Sequence, residues 1–175
     1  MAKEHLDKGL VQVYTGDGKG KTTAAIGLAV RACGQNKSVA FIQFLKCREN
    51  YGETKILEQI GCKVQCFGSK GFIIKGHIKQ EDIDLAKSGL KAAQEALSVY
   101  DIVILDEINN ALDFGLLSES EVVRVLADRR EGCEVVLTGR GATAALLAVA
   151  DLVTEMQEIK HPYQSGIGAR RGIEY

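Results

Sequence analysis

Along the chain, short apolar runs alternate with longer stretches in which apolar positions recur every three or four residues. Near the start, "LVQVYT" reads as a strand running into a glycine-rich turn, and "TTAAIGLAVRACG" as a helix closed at Gly34. "SVAFIQFL" is apolar almost throughout, as expected of a strand covered on both faces. "ETKILEQIG" predicts a short helix and "KVQCFG" a weaker strand. Ile83, Ala86, Leu90, Ala93 and Leu97 step by three and four, forming the stripe of an amphipathic helix. "DIVILDE" is another buried strand. In "SESE", Ser118 and Glu121 have capping-box spacing for a helix over "EVVRVLADRR". A strand at "EVVLTG", a helix through "TAALLAVA" and a strand at "LVTEMQEI" complete the series. The longest apolar run, "AALLAVA" from Ala144, predicts a buried helix.

This alternation predicts an α/β fold in three layers. A mainly parallel sheet of about six strands lies between helices, with binding loops at the carboxyl ends of the strands. One proline and no low-complexity linker or repeat make residues 1–175 a single domain, with an irregular tail at 159–175. The ending "KHPYQSGIGARRGIEY" has no periodicity, three glycines and four potentially cationic side chains. Two readings stay open for it, a solvated tail and a strap over a bound ligand.

Composition narrows the classes of function. The chain is 46% apolar and 26% charged, an ordinary globular balance. Its net charge of −1 provides no field to recruit nucleic acid or an anionic membrane. No apolar run has the length of a membrane span, and "MAKEHLDKG" lacks the apolar region of a secretory signal, so a cytoplasmic location is expected. Five cysteines without a C-x-x-C pair argue against a disulfide framework or a zinc ribbon. Cys62 and Cys66 share a face if their segment is a strand; a metal site there is the minor reading beside two small buried hydrophobes.

The strongest chemical signal is "YTGDGKGKTTAA", Tyr14 to Ala25. A glycine-rich turn between strand and helix gathers backbone N–H groups around one concavity and aims the helix's positive end at it, which favours an anion. Gly16, Gly18 and Gly20 let the backbone approach, Lys21 adds a full charge, and the Thr22 hydroxyl can ligate magnesium between phosphates. Thr15 stands where the usual G-x-x-x-x-G-K-[ST] pattern has its first glycine. Residues Thr15, Gly16, Asp17, Gly18, Lys19, Gly20, Lys21, Thr22 and Thr23 are therefore the expected phosphate contacts, with Lys19 either on phosphate or in solvent.

Three further places carry candidate chemistry. Asp106 and Glu107 end a buried strand, where a carboxylate holds magnesium or orients a water; the alternative is a helix N-terminus decorated with acids. Arg140, in "LTGRGA", falls on the same edge of the sheet and can neutralise phosphate, hold an acidic group of a second substrate, or pair at the surface. "GSKGFIIKGH" combines three glycines with Phe72, Ile73 and Ile74, which either cover an apolar ligand or tuck back into the core.

Taken together, "VYTGDGKGKTTAAIGLAVRACG", "FIQFLK", "DIVILDEINNAL", "LTGRGA" and "ADLVTEMQEIKHPYQSGIGARRGIEY" resemble the P-loop ATP:corrinoid adenosyltransferases of bacterial cobalamin synthesis and salvage. The resemblance covers nearly all 175 residues, and the closing stretch is its most specific part. That family's loop begins T-G-x-G-K-G-K-T-T, which accounts for Thr15.

The resemblance implies a RecA-like P-loop fold, a homodimer, and ATP with Mg2+. It implies that Co(I) of a cobalamin, cobinamide or cobyric acid derivative attacks the ribose C5′ of ATP, bound in reversed polarity, and that intact triphosphate leaves. Lys21, Thr22 and Glu107 become the catalytic candidates, and Thr22, Asp106 and Glu107 the metal ligands. Phe72 falls where the family places an aromatic that strips the lower axial ligand from Co(II). A second such position falls about at Ile74, in a chain that has no tryptophan. Arg140 matches the family's T-G-R and is expected on corrinoid or phosphate. Electrons would come from a flavoprotein or free reduced flavin; neither nucleic acid nor membrane is expected as a partner. The rivals are a RecA-like ATPase or switch, a small-molecule kinase, and a nucleotide sensor in cobalamin regulation. Their products separate them.

Overall fold

Strands that are apolar on both faces need cover on both, and the chain provides it by sending its helices to either side of one sheet. The computed structural model describes residues 6–46, 51–71, 73 and 75–175. Its elements run β1 (Val11–Thr15), α1 (Lys21–Gly34), β2 (Val39–Phe44), α2 (Gly52–Gln59), β3 (Lys63–Phe67), α3 (Gln80–Leu97), β4 (Ile102–Asp106), α4 (Ile108–Asp113), α5 (Glu119–Ala127), β5 (Glu134–Thr138), α6 (Ala144–Val149) and β6 (Leu152–Glu155). A short 3-10 turn, Pro162–Ser165, lies in the tail. The six strands form one sheet in the order β3-β2-β4-β5-β1-β6, every pair parallel. This is the α/β three-layer arrangement expected of a RecA-like P-loop fold.

Two apolar clusters make the core. On one face, Ala25, Ala29 and Ala32 of α1 and Leu57 of α2 meet Phe41, Ile104 and Val136. Alanine on the buried side of α1 lets that helix lie close to the sheet, and it begins at the phosphate loop. On the other face, Ala86, Leu90, Ala93 and Leu97 of α3 pack with Ile42, Phe44, Val103 and Leu105. The expected capping box is present: the Glu121 N–H donates to Ser118 Oγ at 3.4 Å and the Ser118 N–H to Glu121 Oε2 at 3.0 Å. Every residue of β2 and β4 is buried, as their composition predicts.

The helix α6 departs from expectation. Of its apolar run, Leu146 is buried whereas Leu147 and Val149 are each 40% exposed. The strand β6 after it is exposed along its whole length and stops at Glu155, short of the predicted "LVTEMQEI". Both belong to the open edge beside β1, where among the described residues no further strand or helix covers them. Gly34 is the last residue of α1, and the left-handed turn that ends it falls on Asn36, φ 58°. The helix α4 starts directly after Glu107, where a helix N-terminus is one of the two readings of the acidic pair.

Parallel pairing puts all the strands' carboxyl ends on one edge. There β5 lies between β1, which feeds the phosphate loop, and β4, which ends in Asp106. Glycine in the loop has a second reason besides phosphate access. The Gly18 N–H donates to the Met156 carbonyl at 2.7 Å, and a Cβ on Gly18 would lie 2.6 Å from the Gln157 carbonyl. Gly16, at φ 93°, is pressed against Met156 in the same way. The loop is clamped from behind by the chain leaving β6. Among the described residues no helix is long and apolar enough to cross a membrane.

Candidate functional site

A cavity of about 660 Å³ opens over this carboxyl edge, floored by Asp17 to Thr23. Of the sequence-predicted phosphate residues, Asp17 to Thr23 are thus brought together; Gly16 is outside the lining, and so is Thr15. Its hydroxyl accepts the Ala142 N–H at 3.2 Å and ties the loop after β5 to the phosphate loop. The Lys21 ammonium folds over the loop, donating to the carbonyls of Gly16 at 2.6 Å and Gly18 at 2.7 Å. Burial, with Arg140 close by, pulls its pKa below the usual lysine value.

Asp106 is the hub of the site. It is fully buried, yet four donors surround its carboxylate. Thr22 Oγ1 donates at 2.8 Å and Thr138 Oγ1 at 2.7 Å to Oδ1; Lys46 Nζ at 2.7 Å and Gln43 Nε2 at 3.3 Å reach Oδ2. Burial alone would raise the pKa of Asp106; the Lys46 ammonium and these hydrogen bonds outweigh it and hold the carboxyl below its usual range. Burial works against the charge on Lys46 too, but Asp106 and Glu107 push its pKa up to about 12.

Glu107 behaves differently from its neighbour. It sits at φ 65°, in the left-handed region, at the start of α4, and its side chain makes no capping hydrogen bond. It faces the cavity, its oxygen 3.9 Å from Lys46 Nζ. Helix decoration does not explain it. Burial, and then Asp106, raise its pKa.

Thr22, Asp106 and Glu107 therefore form an oxygen cluster already arranged around a cation, the Lys46 ammonium. Hard oxygen donors of this kind suit Mg2+, which takes one or two carboxylates from protein and fills its remaining positions with water and phosphate. Among the described residues no group of three His, Cys, Asp or Glu forms a self-sufficient metal cage. Cys62 and Cys66 do not make one: Cys62 Sγ lies 3.3 Å from Cys33 Sγ, and Cys66 Sγ donates to Gln43 Oε1 at 3.3 Å.

Arg140 leans over the phosphate loop. Its backbone N–H donates to Asn110 Oδ1 at 2.6 Å, its Nη2 to the Asp17 carbonyl at 3.3 Å, and its Nε lies 3.8 Å from the Asp17 carboxylate. Asn109 Nδ2 donates to the Gly139 carbonyl at 3.1 Å, so α4 holds the T-G-R turn at two points.

Lys19 is not left to solvent; it pairs with Glu174 at 3.0 Å and donates to the Ile173 carbonyl at 3.3 Å. Gly172 to Tyr175 consequently line the cavity with His161. Further back the tail is solvated, with Ile159 and Tyr163 well exposed. The tail's last four residues thus border the cavity, and the stretch before them is exposed. In the glycine-rich loop Ile73 is half-buried against the core, and Lys75 pairs with Asp113 at 2.7 Å. Phe72 and Ile74 lie outside the described residues.

Lys46, Tyr51, Thr138 and Asn110 escaped the sequence reading. Lys46 had a signal: it follows a buried strand, "FIQFLK", by the same positional logic that marked Asp106.

Comparison with known proteins fits this geometry. The model of the family described as ATP:corrinoid adenosyltransferase BtuR/CobO/CobP matches residues 7–175. A protein named corrinoid adenosyltransferase from Sinorhizobium sp. is 39% identical over all of this chain and 84% of its own length. Its namesake from Escherichia coli K12 is 36% identical over all of this chain and 90% of its own. That from Pseudomonas aeruginosa is 36% identical, covering all of this chain and 88% of its own.

Proposed function

The chain belongs to the ATP:corrinoid adenosyltransferase family, and from that premise we propose how its own residues carry the transfer. The enzyme moves the 5′-deoxyadenosyl group of ATP to the cobalt of a corrinoid in cobalamin synthesis. In the step we propose, Co(I) uses its electron pair to form a bond to the ribose C5′. The C5′–O5′ bond breaks, and its electron pair leaves with the triphosphate. Co(I) is itself a strong nucleophile, so the protein's work is to place C5′ in line and to stabilise charge on the leaving group.

One observation carries this reading. The phosphate loop, Lys21, Arg140, Thr22 and Glu107 meet around a single cavity, with positive groups on its floor and Asp106 buried behind Thr22. Lys21 and the N–H groups of Lys19 to Thr22 receive the phosphates; Arg140, tethered by Asn110, closes on them from the side. Thr22, Asp106 and Glu107 would hold Mg2+, which supplies further positive charge to the triphosphate. Asp17 and Thr23 complete the lining at the two ends of the loop, and Lys19 holds the tail's end beside the cavity. Phe72 and Ile74 are assigned to the corrinoid side by resemblance, and reducing equivalents to a reduced flavin or flavoprotein on the same ground.

A homodimer is supported by apolar surface. Leu147, Val149, Leu152 and Val153 are exposed together along α6 and β6, which a second copy would cover. Light scattering in solution tests that assignment.

For the reaction, protein, Mg2+, ATP and reduced cobalamin are mixed while the corrinoid spectrum and the phosphate products are followed. Adenosylcorrinoid and triphosphate in equal amounts support the proposal. ADP with orthophosphate and unalkylated cobalt would overturn it in favour of an ATPase or kinase.

A further inference from the structure

Two non-glycine residues at the carboxyl edge hold left-handed backbone, Leu45 at φ 62° and Glu107 at φ 65°. They flank the same point. Leu45 turns the chain so that Lys46 crosses from the end of β2 to the end of β4, where its ammonium lies 2.7 Å from Asp106 Oδ2, 3.4 Å from Thr22 Oγ1 and 3.9 Å from Glu107 Oε1. These are the oxygens assigned above to Mg2+. A magnesium ion sits about 2.0–2.1 Å from its ligands, so an ion on these oxygens and the ammonium among them cannot coexist.

Charge sets the terms of the exchange. With Lys46 in place, two carboxylates face one positive charge. Adding a divalent ion while keeping the lysine nearby leaves excess positive charge at a largely buried spot, which is unfavourable unless an anion arrives with it. A polyphosphate is such an anion. Lys46 already borders the cavity, and the Tyr51 ring, its centroid 5.2 Å from Nζ, can receive the ammonium on its way out.

We infer that Lys46 is a built-in competitor for the divalent cation, which keeps the oxygen cluster arranged and yields its place only when metal arrives together with polyphosphate, onto whose oxygens it then moves. The inference rests on the assignment of Thr22, Asp106 and Glu107 to the metal.

The test uses the full chain without nucleotide, with Mn2+ as probe followed by electron paramagnetic resonance. Lys46→Met should bind Mn2+ about tenfold or more tightly than the wild type, since the competitor is gone. Inorganic tripolyphosphate should narrow that gap, because it draws the lysine away in the wild type. The variant leaves Asp106 without its cation and is expected to melt lower; millimolar Mg2+ alone should restore its melting temperature while leaving that of the wild type in place. Equal Mn2+ affinity in both proteins, or a variant that Mg2+ does not rescue, overturns the proposal. Glu107→Gln, introduced into each background, separates the two assignments. If it weakens Mn2+ binding equally in both and Lys46→Met changes nothing, the metal ligands stand and the competitor role falls. If it changes Mn2+ binding in neither, the metal is not on these oxygens and both fall.

Discussion

The cavity's two sides are held in opposite ways. On the phosphate side, Asp106 is fully buried and gathers Gln43 and Thr138 from two strands, Thr22 from a helix and Lys46 from the loop after β2. On the tail side, Gly172 to Tyr175 are exposed and rest on Lys19 and Arg170 through Glu174. The first is part of the core and cannot rearrange without disturbing the sheet; the second can lift away at small cost. Such a division suits a reaction with one constant partner and one bulky one. Charge stabilisation has to be preorganised where the triphosphate leaves, whereas weakly held residues at the cavity's rim can move without disturbing the core.

The sharpest way to break this contrast is to remove a member of the buried side. Asp106→Asn leaves the Lys46 ammonium without its closest anion, and breaking a buried pair in this way should cost about 3–5 kcal/mol of folding stability. Urea denaturation measures it. A loss comparable to that of a tail substitution would mean that the two sides do not differ. Next comes Lys21→Ala, which removes one preorganised charge from the leaving group. With chemically prepared Co(I), kcat should fall about 10²- to 10³-fold while the fold is unchanged by circular dichroism. Unchanged turnover removes Lys21 from the chemistry.

A smaller effect is expected from the loop of residues 68–77. Phe72→Ala should slow reactions starting from Co(II) by about tenfold, the scale of truncating an apolar anchor, and those starting from Co(I) by less. Equal losses would reduce this loop to corrinoid binding alone.

The same contrast explains what could be read from the chain. β2 and β4 declared themselves because a strand covered on both faces has no polar alternation to confuse it. The phosphate loop was legible because its chemistry needs consecutive residues, Gly20, Lys21 and Thr22. Asp106 was legible as an acid closing an apolar run. Lys46 carried the same positional signal after a buried strand, but its partner did not show, because that arises when β2 pairs with β4 and puts Gln43 level with Asp106, a long-range fact. The run at Ala144 misled for another reason: an apolar run has no polar positions to mark which of its residues, in this case Leu146, the fold buries. Thr15 was legible as a departure from the usual phosphate motif, but its hydrogen bond from the Ala142 N–H, across 127 residues, was not.

The mildest test belongs to the tail. Hydrogen bonds from Arg170, and then from Lys19, lower the Glu174 pKa to about 2. A carboxyl depressed below its unfolded value contributes above the ordinary range near 4.3 and loses that contribution only as pH falls through about 2. The anchor is thus fully engaged between about pH 6 and 8, and the effect of removing it should be flat across that window. Glu174→Gln should raise KM for ATP about two- to fivefold at low salt with kcat unchanged, as befits an exposed pair. At about 0.5 M salt the difference should shrink, because solvent ions screen the wild-type contact as well. A fall in KM would mean that the carboxylate's repulsion of the phosphates outweighs its hold on the strap. A matching loss in kcat would place the tail among the groups that act on the transition state, and the two sides of the cavity would then differ in burial but not in function.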